Sequence, residues 1–326
     1  MGSNLAIIIC TWNRADSLDV TLSELSPREA IAFDATPHLI LVDNNSKDFT
    51  KEVADKHSAV WPAGRFHYLF EAQQGKQFAL NTGIRAATEL GCTICAFTDD
   101  DLLFPPDWAQ RIIAAFDDDA IDLVGGQTRL QWPATGRPPW FHPSMIAILA
   151  GVDEGERRLC PPPATYAPAG SNMAARTMLF ERVGGFSTTH FRHMDWEFGQ
   201  RCLRMGVGVA YEPNLVVTAP VDPQVLTKRY FRRWSLKAGI SPWQDLRPGE
   251  RHLAWVPLWL YRQLVQDCLA WLLVPLRREP EAERFKRELR IWRAWGTFTS
   301  RWMSKLRPEA YPAWAKGLSQ KKKNVY

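Results

Sequence analysis

Leu5-Ala6-Ile7-Ile8-Ile9-Cys10 puts six apolar residues in a row, with no polar position left to face water. A strand of that kind is covered on both faces, as the central strands of parallel sheets are. Leu39-Ile40-Leu41-Val42 repeats the pattern, and Arg65–Phe70 and Ile94–Thr98 supply a third and a fourth strand. Between them the apolar spacing becomes helical, over Ser17–Leu25, Asp48–His57, Gly75–Leu90 and Pro106–Asp117. Strand, loop and helix in alternation constrain the chain to the α/β class: a mostly parallel open sheet flanked by helices.

Sheets of this class open a crevice at the carboxyl ends of their strands. Polar residues collect at those ends here: Thr11–Asp16 after the first strand, Asp43-Asn44-Asn45-Ser46 after the second, Asp99-Asp100-Asp101 after the fourth. Three adjacent carboxylates repel one another and are costly to bury unpaired. A hard divalent cation relieves that cost, which makes Asp99 and Asp101 candidate ligands for Mg²⁺ or Mn²⁺. The residues alone also fit a solvated acidic turn. No GxGxxG or P-loop pattern follows the first strand, which argues against a dinucleotide-binding oxidoreductase or a P-loop ATPase.

Further along, Leu123–Arg129 has the pattern of another strand, and residues 131–168 are rich in proline and aromatic residues. That stretch fits an acceptor-lining insertion or a simple connection. Gly170-Ser171-Asn172-Met173-Ala174 predicts a tight backbone approach before a helix over Arg176–Arg182, closed by Gly184-Gly185-Phe186. In His193–Gly206, Asp195 suits the first turn of a helix, where an anion is favoured. Glu197 and Arg201 are spaced to pair at i,i+4. Capping and pairing account for these residues structurally; a carboxylate presented to a ligand is the functional alternative.

The 326 residues suffice for a large core, with 46% hydrophobic and 23% charged residues. The start of the chain lacks the pattern of a signal peptide, and six cysteines do not form a disulfide-scaffold pattern, so a cytoplasmic setting is expected. Charge is unevenly placed. Residues 1–227 carry 18 Lys/Arg against 27 Asp/Glu, while residues 228–326 carry 22 against 8. Lys228-Arg229-Tyr230-Phe231-Arg232-Arg233-Trp234 opens that basic part. Trp255–Leu276 predicts an amphipathic helix with a narrow polar stripe of Arg262, Gln263, Gln266 and Asp267. With Trp255, Trp259, Trp271 and Arg277-Arg278, it suits a helix lying at the cytoplasmic face of a membrane. A packed helix or a homo-oligomer interface is the alternative. Arg284–Trp302 predicts a further helix, and Lys321–Tyr326 a disordered tail. A nucleic-acid partner explains the basic end but not the acidic loops, and is not expected.

Taken in order, the motifs resemble the inverting family 2 glycosyltransferases of GT-A fold. Ile8-Ile9-Cys10-Thr11-Trp12-Asn13-Arg14 is similar to the family's opening strand and loop, and Val42–Thr50 to its second. Gly75-Lys76 with Ala79–Ile84, Asp99-Asp100-Asp101, Gly170–Met173 with Gly184–Phe186, and Met194–Arg201 are similar to the motifs that follow. Met194 stands where Glu is common, and Ala219 where many members carry His. The resemblance implies a GT-A domain over 1–225, its nucleotide-sugar half being 1–125 and its acceptor half 126–225, with a helical extension over 226–326. It also implies transfer of a sugar from a nucleoside diphosphate, UDP by family frequency, to a hydroxyl of a glycan, lipid-linked or small-molecule acceptor. Asp195 would be the general base; Asp101 with Asp99 would hold Mg²⁺ or Mn²⁺. Thr11, Asn13, Arg14, Asp43, Lys76, Asn81, Asp99 and Asp100 would bind the nucleotide. Gly170, Ser171, Asn172, Trp196, Glu197 and Arg201 would form or support the acceptor side. The alternatives are an inactive nucleotide-sugar-binding protein and a metal-dependent nucleotidyltransferase.

Overall fold

The computed structural model describes residues 4–26, 36–155, 166–190, 193–240, 251–272 and 279–320. The expectations on Pro161–Pro163, Arg277-Arg278 and the tail 321–326 lie outside the described residues. The chain divides into two compact units. One comprises residues 1–131, 150–189 and 194–220; the other comprises residues 132–149, 190–193 and 221–326.

The first unit is built on a seven-stranded sheet in the order β3-β2-β1-β4-β6-β5-β7. Its strands are β1 (Leu5–Thr11), β2 (His38–Asp43), β3 (Phe66–Phe70), β4 (Ile94–Thr98), β5 (Leu123–Gln131), β6 (Asn172–Arg176) and β7 (Val209–Pro220). All neighbours pair in parallel except β6, which runs antiparallel between β4 and β5. The alternation hidden in the apolar runs is resolved by two cores. Leu5, Ile7 and Ile9 of β1 join Leu39, Leu41, Ile94 and Ala96 in one, while Ala6 and Ile8 join Ile40, Val42, Cys95 and Phe97 in the other. Helices α1 (Ala15–Leu25), α2 (Thr50–Ser58) and α4 (Trp108–Ala115) contribute to the first core. Helices α3 (Lys76–Glu89), α5 (Leu179–Val183) and α6 (Met194–Arg204) cover the second. Both faces of the sheet are buried, as continuous apolar strands require.

One expectation is corrected here, and one strand is added. The helix expected over Arg176–Arg182 is reduced to α5, because Asn172–Arg176 is a buried strand. Its Met173-Ala174-Ala175 core has no β-branched residue, so local propensity favours a helix; two flanking ladders override it. β7 is the second strand absent from the sequence reading. It carries a bulge opposite Gly126 and Gln127, where the register steps from Glu212 to Val216.

The second unit is helical: α7 (Lys228–Gly239), α8 (Leu258–Leu272), α9 (Glu281–Leu306) and α10 (Tyr311–Gln320). A small hairpin of β8 (His252–Leu253) and β9 (Val256–Pro257) precedes α8. Helices α7 and α9 cross at two glycines. A Cβ on Gly239 would lie 2.1 Å from the Arg293 carbonyl oxygen, and one on Gly296 2.0 Å from that of Leu236, so only glycine permits the approach. Residues 132–149 pack in this unit. Phe141, Met145 and Ile148 form one apolar cluster with Phe231, Phe285 and Leu289, which explains the aromatic content of that stretch. The polar stripe expected on α8 is also divided. Asp267 turns inward and pairs with Arg290 of α9, while Arg262 and Gln266 are exposed.

Candidate active site

The register fixes which residues meet at the carboxyl edge of the sheet. Thr11 pairs with Asp43 across β1 and β2, Ile9 with Thr98 across β1 and β4, and Thr98 with Asn172 across β4 and β6. The loops after β1, β2 and β4 and the segment before β6 therefore emerge side by side.

The three acids after β4 point to different partners. Asp100 is buried, accepting a hydrogen bond from the Thr11 hydroxyl at 2.7 Å and pairing with Arg14 at 2.8 Å. Burial pushes its carboxyl up to about 6, against the opposing pull of Arg14 and Thr11. Asp101 pairs with the other arm of Arg14 at 2.5 Å, and Asp99 pairs with Lys76. Burial pulls the Lys76 ammonium down, but the charge of Asp99, with a smaller contribution from Asp195, outweighs it and holds Lys76 above its ordinary value. Beneath this cluster, burial pushes the Cys10 thiol up to about 12, so it is no nucleophile at neutral pH.

The β1 and β2 loops are tied together. Asn13, at φ 52°, receives a hydrogen bond from Lys47 N–H at 2.7 Å, and its own N–H donates to the Ser46 hydroxyl at 3.0 Å. Asp43 is buried, accepting from the Tyr68 hydroxyl and the Ser46 N–H, both at 2.8 Å. Asn44 emerges as an organiser that the sequence reading passed over. Its amide donates to the carbonyls of Glu71 and Gln73, and its Oδ1 accepts from Gly75 N–H at 2.7 Å. Those bonds shape the loop that delivers Lys76. The signal was present in the sequence, since Asn44 adjoins Asp43 in the same matched motif.

Asp195 lies in the first turn of α6, and Gly170 N–H donates to its Oδ2 at 2.9 Å. A Cβ on Gly170 would sit 3.3 Å from that of Asp195, so the glycine lets the backbone come close. Trp196 beside it is 37% exposed. The remaining expected site residues hold the frame. Glu197 pairs with Arg201 at 2.9 Å, and Arg201 also donates to the carbonyls of Val183 and Gly185. Asn81 both donates to and accepts from the backbone of Phe186, at 2.9 and 2.8 Å. The Ser171 carbonyl accepts from Thr98, and its hydroxyl lies 3.3 Å from that of Thr128. Asn172, 1% exposed, donates to the carbonyls of Gln127 and Leu215 and accepts from the Trp108 indole at 3.1 Å. It clamps the bulge of β7. Ala219 is buried in β7 opposite Leu130 and offers no polar group.

No group of three or more His, Cys, Asp and Glu that could hold a metal by itself occurs among the described residues. The donors nonetheless suit a small hard cation. Asp99 and Asp101 retain 28% and 41% side-chain exposure. One or two carboxylates completed by substrate phosphates is the usual setting of Mg²⁺.

The sequence model described as "Glycosyl transferase family 2" matches residues 6–184. The chain belongs to that family. Among its relatives, glycosyltransferase AglE of Haloferax volcanii is 25% identical over 280 residues, covering 84% of this chain and 85% of AglE. Among solved structures, the mannosyltransferase PcManGT of Pyrobaculum calidifontis, in complex with GDP-Man and Mn²⁺, matches with a TM-score of 0.52 at 17% identity. That match covers 98% of this chain and 85% of PcManGT. TarS 1–349 of S. aureus, in complex with UDP, matches with a TM-score of 0.51 at 14% identity, covering 97% and 80%. The fold is thus GT-A, and this family 2 member is a glycosyltransferase.

Proposed function

We propose that this glycosyltransferase moves a sugar from a nucleoside diphosphate, UDP being favoured, to an acceptor hydroxyl with inversion at the anomeric carbon. One observation carries the reading. The half-buried carboxylate of Asp195 is held by Gly170 N–H, and the next residue, Ser171, accepts from Thr98, which immediately precedes Asp99 at the carboxyl edge of the sheet. A base and a cation-bearing anion site belong together where an acceptor is deprotonated and a phosphate departs.

In the proposed step, an Asp195 oxygen takes the acceptor's proton while the acceptor oxygen bonds to the anomeric carbon. The bond from that carbon to the diphosphate oxygen breaks, and its electron pair leaves with the nucleotide. One displacement inverts the centre and needs no covalent intermediate. Gly170 N–H fixes the carboxylate's orientation. Lys76 and Arg14 bring positive charge to the diphosphate, and Asp100 with Thr11 holds Arg14 in place. Asp43, Asn13 and Tyr68 shape the nucleoside end, and Trp196 offers an aromatic face to a ring-shaped acceptor, whether free glycan, lipid-linked saccharide or small molecule. Asp101 with Asp99 would hold Mg²⁺ or Mn²⁺, which supplies further positive charge to the leaving group when bound. PcManGT with GDP-Man and Mn²⁺, and TarS with UDP, support a nucleotide site in this fold without choosing the base.

Titration calorimetry of UDP, GDP and dTDP and their sugar conjugates, with and without Mn²⁺, tests the proposal. The expected result is Mn²⁺-dependent binding of one nucleotide that is lost in Asp101→Ala. A folded protein that binds none of them refutes it.

A further inference from the structure

The second unit exposes a set of large apolar side chains. They lie on the β8–β9 hairpin and the outer side of α8. Leu253 ends β8 and Trp255 sits in the hairpin turn, and Leu258, Trp259, Val265 and Leu269 follow on the helix. Positions 258, 262, 265 and 269 recur at helical spacing, so Leu258, Arg262, Val265 and Leu269 share one face. The opposite face is the one that packs: Leu260 and Leu264 join Val256 and Phe298 in a core cluster. Exposed large apolar residues concentrated on one hairpin and the helix that follows it mark an interaction surface.

Two features identify what it meets. The first is the turn. Ala254 and Trp255 both adopt positive φ, 45° and 63°. A two-residue hairpin turn of that hand normally takes Asn-Gly, and a bulky residue there is strained. The strain is held by the Tyr261 hydroxyl donating to the Leu253 carbonyl at 2.9 Å and by buried Val256. Its consequence is an indole 45% exposed at the tip, and Trp259 on the following helix is 54% exposed. Tryptophan at the edge of an apolar patch is the residue suited to the boundary between lipid headgroups and acyl chains.

The second feature is charge. Between residues 251 and 272 the one carboxylate, Asp267, is turned inward onto Arg290. Arg251 and Arg262 are exposed, so the outward side of this segment carries only positive charge. A two-fold contact between copies would bring these arginines together, whereas an anionic surface complements them. No helix among the described residues is long and apolar enough to cross a membrane. The surface therefore suits a helix that lies on a bilayer, its long arginine reaching the headgroups.

We propose that the β8–β9 tip and the outer face of α8 dock the protein on an anionic lipid surface. Leu253, Trp255, Leu258 and Trp259 enter the interface, and Arg262 meets the lipid phosphates. Docking needs neither donor nor acceptor, so it stands apart from the nucleotide reading.

Flotation of the full chain with vesicles tests it, using phosphatidylcholine alone and phosphatidylcholine mixed with phosphatidylglycerol. The expected result is flotation with the anionic vesicles only, weakened by salt. Arg262→Glu should cut the partition coefficient roughly tenfold or more, and Trp255→Ser/Trp259→Ser should cut it at least as much, while circular dichroism stays native. Three outcomes overturn the proposal: no flotation with either vesicle, equal flotation with both, or no change in the variants. A fourth is a dimer by sedimentation velocity that the tryptophan variant dissociates, which would assign the face to a second copy.

Discussion

Replacing Asn172 with alanine separates two roles that its place in the family motif leaves entangled. As an acceptor contact, Asn172 would affect substrate affinity and little else. The structure instead surrounds its amide with protein groups. Asn172→Ala leaves the Gln127 and Leu215 carbonyls and the Trp108 indole N–H without their partner, inside a region where Asn172 is 1% exposed and Trp108 1%. At about 1–3 kcal/mol for each buried group left unsatisfied, and with partial relaxation, the loss is on the order of 3–6 kcal/mol. That is a large share of the ~5–15 kcal/mol by which a domain is stable. At roughly 2–4 °C per kcal/mol, the melting transition of the sheet unit should fall by about 6–24 °C in scanning calorimetry. Asn172→Asp should not rescue it. The carboxylate can still accept from Trp108 but cannot donate to the two carbonyls, and it adds a buried charge. A melting shift below about 2 °C in Asn172→Ala, with a raised KM for the acceptor, would refute the clamp and return the residue to substrate binding.

Three further outcomes are expected. Asp195→Asn should lower turnover by about 10²–10⁴-fold and leave nucleotide affinity unchanged; undiminished turnover would remove Asp195 as the base. His38 accepts from Arg65 at Nε2 and lies 3.0 Å from His67 at Nδ1, and burial with those neighbours lowers its pKa to about 4. The unfolded chain takes up this proton near pH 6.5 and the folded one only near 4, so stability is full above that window. It falls as pH drops through it, by at most about 3 kcal/mol, and a flat urea midpoint between pH 7 and 4.5 would contradict this. Gly296→Ala forces a methyl into the Leu236 carbonyl, and the helical unit should lose at least about 1–3 kcal/mol; an unchanged melting profile would show that α7 and α9 part at no cost.

The apolar runs at Leu5–Cys10, Leu39–Val42 and Ile94–Thr98 determined the parallel half of the sheet by themselves. A strand with no polar face has one environment open to it. Because such strands end where their crevice opens, the same runs placed Thr11, Asp43 and Asp99–Asp101 at one edge. β6 and β7 were decided by tertiary structure. Met173-Ala174-Ala175 is a strand only because β4 and β5 offer ladders on both sides, and β7 is held with its bulge by Asn172 and Gly126. The division of labour among site residues was equally out of reach of a linear pattern. Asp99, Asp100 and Asp101 are adjacent in sequence, yet one faces Lys76, one faces inward to Thr11, and one faces Arg14. Asn81, Asn172 and Arg201 stand in motif positions that suggest ligand contacts, and each also hydrogen-bonds protein groups: Asn81 the Phe186 backbone, Asn172 two carbonyls and the Trp108 indole, Arg201 two carbonyls and Glu197. A motif records which residue type is needed at a position. Whether it is needed for a ligand or for a buried carbonyl depends on what the rest of the chain brings beside it, and that is fixed only when the chain has folded.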